Sequence, residues 1–238
     1  MSKSSDPFGQ ALISYLEGNK SGEITVVSDI VEDDFIPVSY LFRGYAQMPP
    51  LEKRALSLCA GKILDVGAGS GCHSLYLQSE GHNVTALEIS PLAAEALKRQ
   101  EIKKVEEIDF FSFVAPNKFD TILLLMNGLG IAKTLDELPA FLQHCKSLLA
   151  PGGQILLDSS DIKYLFEEED GTFLINLNDS YYGEVEYQMI FETTKGARFD
   201  WLFLDFDLLQ HYAEENGLKA VKIADGSHYD YLAKLTLV

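Results

Sequence analysis

The chain has 238 residues, of which 47% are hydrophobic and 11% aromatic, so it can bury a sizeable core and is not a disordered polypeptide. Asp and Glu together number 36, against 19 Lys and Arg, which gives a formal charge of -17. This excess disfavours nucleic acid and anionic membrane surfaces as partners, because both need basic patches. We therefore expect neither kind of partner.

The cysteines and the N-terminal residues indicate what to expect of metal binding and cellular location. Cys59, Cys72 and Cys145 lie far apart, and no Cys/His group has zinc spacing. We expect reduced thiols, no metal site and a cytoplasmic protein. The opening MSKSSDPFGQ has no apolar h-region, and the longest apolar run, Ile122 to Met126, is too short to span a membrane.

Residues 1–60 are predicted to form a cap ahead of the core. Residues 7–17 have the pattern of a short helix, with Asp6 as its N-cap. Residues 23–42 are rich in Val, Ile, Phe and Tyr, which predicts one or two strands. A proline pair at 49–50 then opens another helix, since proline is favoured in a first helical turn.

Strands and helices alternate regularly through residues 61–158. The predicted strands are 62–66, 83–87, 103–108, 121–126 and 154–158, and the predicted helices are 70–79, 91–100 and 135–149. Such alternation is typical of a parallel sheet with helices on both faces. We therefore predict an α/β fold with a doubly wound, Rossmann-like core.

The pattern changes after residue 158. Residues 159–200 hold the β-rich pieces "TFLINL", "EVEYQMIFE" and "ARFDWLFLDF", which predict an antiparallel insertion. Open α/β sheets bind ligands at the carboxyl ends of their strands, so this insertion is either a lid or substrate platform or an extension of the sheet without a ligand role. A helix over 207–216 and two last strands within 201–238 complete the core, and we expect a single domain.

The stretch "ILDVGAGSGCHSLYL" places three glycines in a turn between a strand and a helix. Gly67 and Gly69 fit a dinucleotide fingerprint, but its third position is Cys72. No Gly-Lys-Ser/Thr follows, so the turn is not a P-loop. The glycines therefore indicate that the backbone approaches a ligand closely, and that this ligand is of another class.

Two acids narrow the kind of ligand. Asp65 ends the first core strand, where a carboxylate disfavours a pyrophosphate. Glu88 lies 21 residues beyond Gly67, near the spacing of an acid that binds ribose hydroxyls. The pair predicts a nucleoside with a cationic or zwitterionic tail.

The chain resembles the class I S-adenosylmethionine-dependent methyltransferases. The matching pieces, which cover most of residues 40–158, are "ILDVGAGSG", "TALEIS", "EEIDFF", "FDTILLLMNGLG" and "LLAPGGQILLD". The resemblance implies a seven-stranded sheet, mostly parallel with the last strand antiparallel, and S-adenosyl-L-methionine as cofactor.

The resemblance also implies roles for individual residues. Glu88 would hold the ribose, Ile89 would pack on the adenine, and Asp109 would accept from the adenine amino group. Asp65 would approach the methionine amino group, or else merely cap the following helix. The implied cofactor contacts are Asp65, Gly67, Ala68, Gly69, Gly71, Glu88, Ile89, Asp109, Phe110, Met126 and Asn127. Asn127 is alternatively a turn residue before Gly128.

Arg43 lies in "YLFRGYAQMPP", directly upstream of the core. It either pairs with the methionine carboxylate of the cofactor or belongs to an aromatic cap.

The expected reaction is an in-line transfer of a methyl group to an N, O or C nucleophile of a small molecule. Positioning dominates such a step, and a base is needed only for a protonated nucleophile. The candidate catalytic residues are Asn127, Asp158, Tyr181 and Tyr182. The alternatives are a non-catalytic cofactor-binding or partner-binding module, a protein methyltransferase and an NAD(P) oxidoreductase. The acceptor and the oligomeric state stay open.

Overall fold

The computed structural model describes residues 5–168, 170–174 and 180–238. The end of the predicted strand "TFLINL", residues 175–177, lies outside the described residues. Phe173, near its start, forms an isolated antiparallel bridge with Glu167.

The elements follow one another along the chain as helices and strands of ordinary length. The strands are β1 (Glu23–Ser28), β2 (Asp34–Pro37), β3 (Lys62–Val66), β4 (Asn83–Glu88), β5 (Val105–Glu107), β6 (Phe119–Leu124), β7 (Leu149–Ser160), β8 (Glu184–Phe191), β9 (Thr194–Leu202), β10 (Leu218–Asp225) and β11 (Asp230–Leu237). The α-helices are α1 (Pro7–Leu16), α2 (Val38–Leu41), α3 (Pro50–Leu58), α4 (Cys72–Ser79), α5 (Pro91–Arg99), α6 (Leu138–Leu148) and α7 (Phe206–Glu215). Short 3₁₀ segments cover Tyr45–Gln47, Phe110–Ser112, Gly128–Ala132 and Ile162–Phe166.

Seven strands form the main sheet, in the order β10-β11-β7-β6-β3-β4-β5. Strand β11 pairs antiparallel with both of its neighbours, whereas β3, β4, β5, β6 and β7 pair in parallel. The central strands are buried on both faces, as Ile122, Leu123 and Leu124 in β6 show. The predicted fold class, including the antiparallel last strand, is confirmed.

Backbone geometry explains where the boundaries differ from those predicted. Helix α4 begins at Cys72 rather than at 70, because Gly71 before it has a φ of +86°. Strand β6 ends at Leu124, short of the predicted 126, since Met126 and Asn127 both adopt positive φ. Strand β7 starts early because Leu149 already pairs with Phe119.

A second sheet of four antiparallel strands has the order β2-β1-β8-β9. It joins the predicted cap to the predicted insertion, because β1 pairs with β8, with Val26 opposite Met189. Helix α1 is capped by Asp6, which accepts from the Gly9 N–H as predicted. Its Leu12 is buried with Ile24 of this sheet. Cap and insertion are therefore one structural layer rather than two.

The second sheet lies beside the carboxyl edge of the main sheet. A Cβ on Gly130, which follows β6, would meet the indole of Trp201 in β9. The carboxylate of Glu184 in β8 accepts from the Leu135 N–H at 2.8 Å. Within the described residues, no helix has the length and hydropathy needed to cross a bilayer.

Candidate active site

The glycine turn folds back onto the end of β4. Gly67 and Gly69 have φ values of +67° and +56°, in the left-handed region that glycine adopts without strain. The N–H groups of Gly67 and Ala68 donate to the Leu87 carbonyl at 2.9 and 3.1 Å. These bonds place the turn directly beside Glu88.

Gly71 serves a packing role. A Cβ on it would lie 2.6 Å from Cδ2 of Leu97 in α5, so a side chain does not fit there. At Gly69, a Cβ would lie 3.3 Å from the ring of Phe8 in α1. The sequence assigned all three glycines to cofactor approach, whereas the structure ties Gly71 to the contact between α4 and α5.

Glu88 is buried and accepts a hydrogen bond on each carboxylate oxygen. Oε2 accepts from the Gly69 N–H and Oε1 from the Ser90 N–H, both at 2.9 Å. Burial raises the pKa of Glu88, although these backbone bonds oppose the shift. Since a carboxylate has about four acceptor positions, Glu88 keeps acceptor capacity for a hydroxyl of a diol.

Exposed apolar side chains follow three of the parallel strands of the main sheet. Ile89 after β4 is 53% exposed, Ile108 after β5 is 37% exposed, and Met126 beyond β6 is 38% exposed. Parallel strands end at the same edge, so these side chains offer an apolar face there. Sequence reasoning missed Ile108, because the predicted strand 103–108 included it, whereas β5 ends at Glu107.

Phe110 and Asp109 lie in the turn after β5. The ring of Phe110 is only 5% exposed and packs against Phe141 and His144, at ring-centroid distances of 5.7 and 4.7 Å. A contact of this ring with adenine, as expected from the sequence, does not fit that position, because core side chains surround the ring. The carboxylate of Asp109 accepts from the Phe111 N–H at 2.9 Å.

Asp65 is buried at the end of β3 and contacts the first turn of α4. Its Oδ2 accepts from the Ser74 hydroxyl at 2.6 Å. Burial raises the pKa of Asp65, while His73 and the Ser74 bonds oppose this shift.

Arg43 is held inside the protein by Glu52 of α3. Its Nη2 and Nε donate to the two Glu52 oxygens at 2.5 and 3.2 Å, and Nη1 donates to the Tyr40 carbonyl at 2.8 Å. The Arg43 side chain is 2% exposed. The expected pairing of Arg43 with a cofactor carboxylate does not fit this geometry, because Glu52 already takes the fork of the guanidinium.

The same carboxylate also binds His73 of α4, with 3.0 Å between Oε2 and Nε2. Burial alone would lower the pKa of His73, but hydrogen bonds to Cys72 and Glu52 outweigh it and raise the pKa to about 10. Burial alone would raise the pKa of Glu52. Hydrogen bonds to His73 and Arg43 outweigh burial and hold the pKa below its ordinary value. The Arg43–Glu52–His73 cluster thus joins the cap to the first turn after the glycine loop, and sequence reasoning missed Glu52.

The turn beyond β6 has strained backbone. Met126 and Asn127 have φ values of 65° and 56°, which cost of order 1–3 kcal/mol each in non-glycine residues. Asp158 in β7 holds this turn, since Oδ2 accepts from the Met126 N–H at 3.2 Å and Oδ1 from the Gly128 N–H at 3.1 Å. Burial raises the pKa of Asp158 to about 7. The Ser160 hydroxyl donates to Asn127 Oδ1 at 2.9 Å.

The two candidate tyrosines are bound to carboxylates. The Tyr181 hydroxyl donates to Asp205 at 2.9 Å, and the Tyr182 hydroxyl donates to Asp161 at 2.8 Å. Burial is the main cause that raises the pKa of both phenols, so they stay protonated near neutral pH.

Two cavities separate the predicted catalytic residues. Tyr181 and Tyr182 line a cavity of about 870 Å³, whereas Asn127 lines another of about 380 Å³. Asp230 borders both cavities. The structure therefore does not bring the predicted catalytic residues to one point. Among the described residues, no group of three or more His, Cys, Asp or Glu is arranged to hold a metal ion.

Sheet order, glycine turn and acid at the end of β4 together define the class I methyltransferase fold. Residues 63–153 match a family model described as "Methyltransferase domain". A crystal structure of a SAM-dependent methyltransferase from Bacteroides fragilis, in complex with S-adenosyl-L-homocysteine, is 46% identical with a TM-score of 0.94. That match covers 100% of this chain and 97% of the other.

The chain belongs to the S-adenosylmethionine-dependent methyltransferases. The family and its cofactor, both predicted from the sequence, are confirmed. The CcbJ methyltransferase from Streptomyces caelestis shares only the fold, at 17% identity and a TM-score of 0.64, with 80% of this chain and 90% of that one covered.

Curated relatives match over less than half of this chain in two examples. The ubiquinone biosynthesis O-methyltransferase of Xanthomonas euvesicatoria pv. vesicatoria (strain 85-10) is 26% identical, over 44% of this chain and 45% of that protein. The dTDP-3-amino-3,4,6-trideoxy-alpha-D-glucopyranose N,N-dimethyltransferase of Streptomyces venezuelae is 28% identical, over 42% of each. The chain thus spans about half the length of the curated relatives that it matches.

The residues at this edge fit a sulfonium nucleoside. Gly67 and Gly69 carry no side chain that would keep a ligand from the backbone, and Glu88 keeps acceptor capacity for a hydroxyl. The exposed Ile89 and Ile108 suit the faces of a purine.

Proposed function

We propose that the protein transfers the methyl group of S-adenosylmethionine to a nitrogen or oxygen nucleophile of a small molecule. The observation that carries the proposal is a juxtaposition at one edge of the main sheet. The glycine turn bound to Glu88 follows β3, and the cavity lined by Asn127 lies beyond the neighbouring β6. Donor and acceptor would therefore meet at the end of β6.

The cofactor contacts belong to the same proposal. Glu88 holds the ribose hydroxyls, Ile89 and Ile108 enclose the adenine, and the Asp109 carboxylate accepts from the adenine amino group. Asp65, in β3 just before the glycine turn, attracts the methionine ammonium. When bound, the cofactor supplies an electrophilic methyl group.

The contribution of the chain itself is alignment. Orienting two reactants can supply roughly 7–11 kcal/mol of a barrier. Asp158 acts as a positioning residue, because its carboxylate holds Met126 and Gly128 through their N–H groups. Asn127, fixed by the Ser160 hydroxyl, borders the acceptor side.

A small acceptor suits the size and charge of the molecule. The cavity beside Asn127 has about 380 Å³, within the range of small-molecule pockets. The formal charge of -17 opposes nucleic acid and anionic membranes as partners. Curated relatives include an O-methyltransferase and an N,N-dimethyltransferase of small molecules, which supports both kinds of nucleophile.

Incubation of the full chain with a metabolite extract and methyl-labelled S-adenosylmethionine tests this proposal. We expect a labelled compound of low molecular mass, detected by mass spectrometry, together with S-adenosylhomocysteine. Label found only in protein would contradict a small-molecule acceptor. Calorimetric binding of S-adenosylhomocysteine without any turnover would favour the non-catalytic alternative.

A further inference from the structure

The cavity of about 380 Å³ beside Asn127 is built by both sheets. Ile30 and Val31 of the β1–β2 loop form one side, and Ile162 and Leu165 beyond β7 form another. The β1–β2 loop is fixed to β8, since Asp29 accepts from the Glu186 N–H at 3.0 Å. These two sides of the cavity are therefore apolar, and the β1–β2 loop is held in place.

Aromatic rings complete these walls. Tyr187 and Phe203 meet edge to face, with ring centroids 6.3 Å apart and planes at 80°. Tyr164 stacks on Tyr229, with centroids 4.9 Å apart and planes at 15°. Rings with fixed planes favour a flat, apolar guest.

The polar side of the cavity comes from the turn between β10 and β11. The Asp230 carboxylate accepts from the backbone N–H of His228 at 2.8 Å. A Cβ on Gly226 would lie 2.2 Å from Asp230 Oδ2, so the turn is folded tightly around this carboxylate. His228 and Asp230 both line the cavity with Asn127, and no role described above uses His228.

The charges around the neighbouring cavity of about 870 Å³ favour a positively charged ligand. It shares Asp230 and is lined by five aspartates and two lysines. One of these lysines, Lys222, lies 2.8 Å from Asp225. A phosphate or carboxylate on the acceptor would meet this negative field, whereas an ammonium would be attracted.

We propose that the cavity beside Asn127 binds an amine carrying an aromatic ring, and that His228 accepts a proton from its ammonium group. This inference rests on the proposed function and specifies the substrate class. The ring lies between the aromatic walls, and the nitrogen faces Asn127 and the turn at His228.

The step balances in protons and electrons. The imidazole of His228 takes one ammonium proton, which leaves a lone pair on the nitrogen. That pair forms the bond to the methyl carbon while the carbon–sulfur bond breaks and its electrons go to sulfur. The products are a methylated ammonium, S-adenosylhomocysteine and a protonated His228, which returns its proton to solvent.

Calorimetry on the full chain saturated with S-adenosylhomocysteine tests the ligand class. We expect phenethylamine to bind, 2-phenylethanol to bind more weakly, and phenylethyl phosphate not to bind. With S-adenosylmethionine, phenethylamine should yield its N-methyl product. If S-adenosylhomocysteine binds but the protein prefers the phosphate, or does not methylate the amine, this inference is overturned and the proposed function still stands. Failure of S-adenosylhomocysteine to bind overturns both.

The variant His228→Gln tests the proton acceptor. We expect kcat/KM for phenethylamine at pH 7 to fall by about 10²-fold or more, with an unchanged Kd for S-adenosylhomocysteine. Its rate should keep rising with pH until the ammonium form of the free substrate has lost its proton, whereas the native rate levels off at lower pH. Asp230, Tyr164 and Tyr187 are the other titratable groups that line the cavity.

His211→Gln is the matched control, because this histidine lies on α7 and is 61% exposed. It should keep the native rate and pH profile. A native rate in His228→Gln would overturn the role of His228.

Discussion

Inside the protein, both carboxylate oxygens of Glu52 accept hydrogen bonds from the guanidinium of Arg43, from Nη2 at 2.5 Å and from Nε at 3.2 Å. The pair connects α3 to the segment that follows α2, and His73 binds the same carboxylate. Buried hydrogen bonds between charged side chains, and not apolar contacts alone, thus connect the cap to the first turn of α4.

Breaking this pair should destabilise the fold. Glu52→Gln leaves the Arg43 charge buried with a weaker partner, and such losses cost about 3–5 kcal/mol. Urea unfolding would measure it. Arg43→Ala should likewise lower stability and leave the Kd of the folded protein for S-adenosylhomocysteine nearly unchanged. If Arg43→Ala instead kept native stability and lost affinity for the cofactor, Arg43 would bind the methionine carboxylate of the cofactor after all.

Removing the carboxylate of Glu88 should weaken the cofactor complex. We expect Glu88→Ala to raise the Kd for S-adenosylhomocysteine by about 10- to 150-fold, corresponding to about 1.5–3 kcal/mol for hydrogen bonds to a charged group. Calorimetry with an analogue lacking the ribose 2′-hydroxyl separates this contact from damage to the turn, because the effect should shrink for the analogue. Glu107→Ala, at the exposed end of β5, is the control. An equal loss for both ligands would speak against a ribose contact.

Gly71 and Gly81 offer a matched pair of backbone positions. Their φ values are +86° and +88°, but a Cβ meets Leu97 only at Gly71, and nothing lies within 4 Å at Gly81. Gly81→Ala should cost about 1–2 kcal/mol for left-handed backbone alone. Gly71→Ala should cost about 1–3 kcal/mol more, because of overpacking. Equal unfolding free energies for the two variants would contradict the packing role.

Asp158→Asn should reduce turnover by loosening the turn at Met126. An amide has one acceptor oxygen, so one of the two backbone N–H groups loses its partner. Misplacement at a reacting centre can cost about 10²-fold, and we expect a fall in kcat/KM of that order. Asp136→Asn, on the exposed loop before α6, controls for loss of a charge. Unchanged kcat/KM for Asp158→Asn would remove the positioning role.

Stability should fall as pH rises through the range in which unfolded histidine deprotonates. The pKa of His73 is raised in the folded protein to about 10, from a model-peptide value of 6.5. The folded state then binds the proton more tightly, so this contribution is complete below pH 6.5 and is lost as pH approaches about 10.

Urea unfolding between pH 6.5 and about 7.5, where unfolded thiols are still largely protonated, measures the slope. His73→Gln should reduce that slope and leave the smaller part carried by Asp158, whose pKa burial raises to about 7, whereas His211→Gln should retain the full slope. A native slope in His73→Gln would show that another group carries it.

The amino-acid sequence alone determined the core of this protein. Hydrophobic periodicity and turn chemistry are local properties, so Lys62–Val66 and the glycine turn could be predicted, and the resemblance to the family implied the antiparallel last strand. Glu88 could be placed beside Gly69 because the spacing of a βαβ unit is nearly constant. The family and its cofactor followed from these short-range patterns.

Tertiary structure alone decided what depends on distant contacts. Strand β1 pairs with β8 across more than half of the chain, and no local pattern states such a pairing. The same holds for Arg43 with Glu52 and for the tyrosines with Asp205 and Asp161, because side-chain partners are chosen by packing. It also holds for the cavity that brings Asn127 and His228 together, since its walls come from both sheets and only the folded chain assembles them.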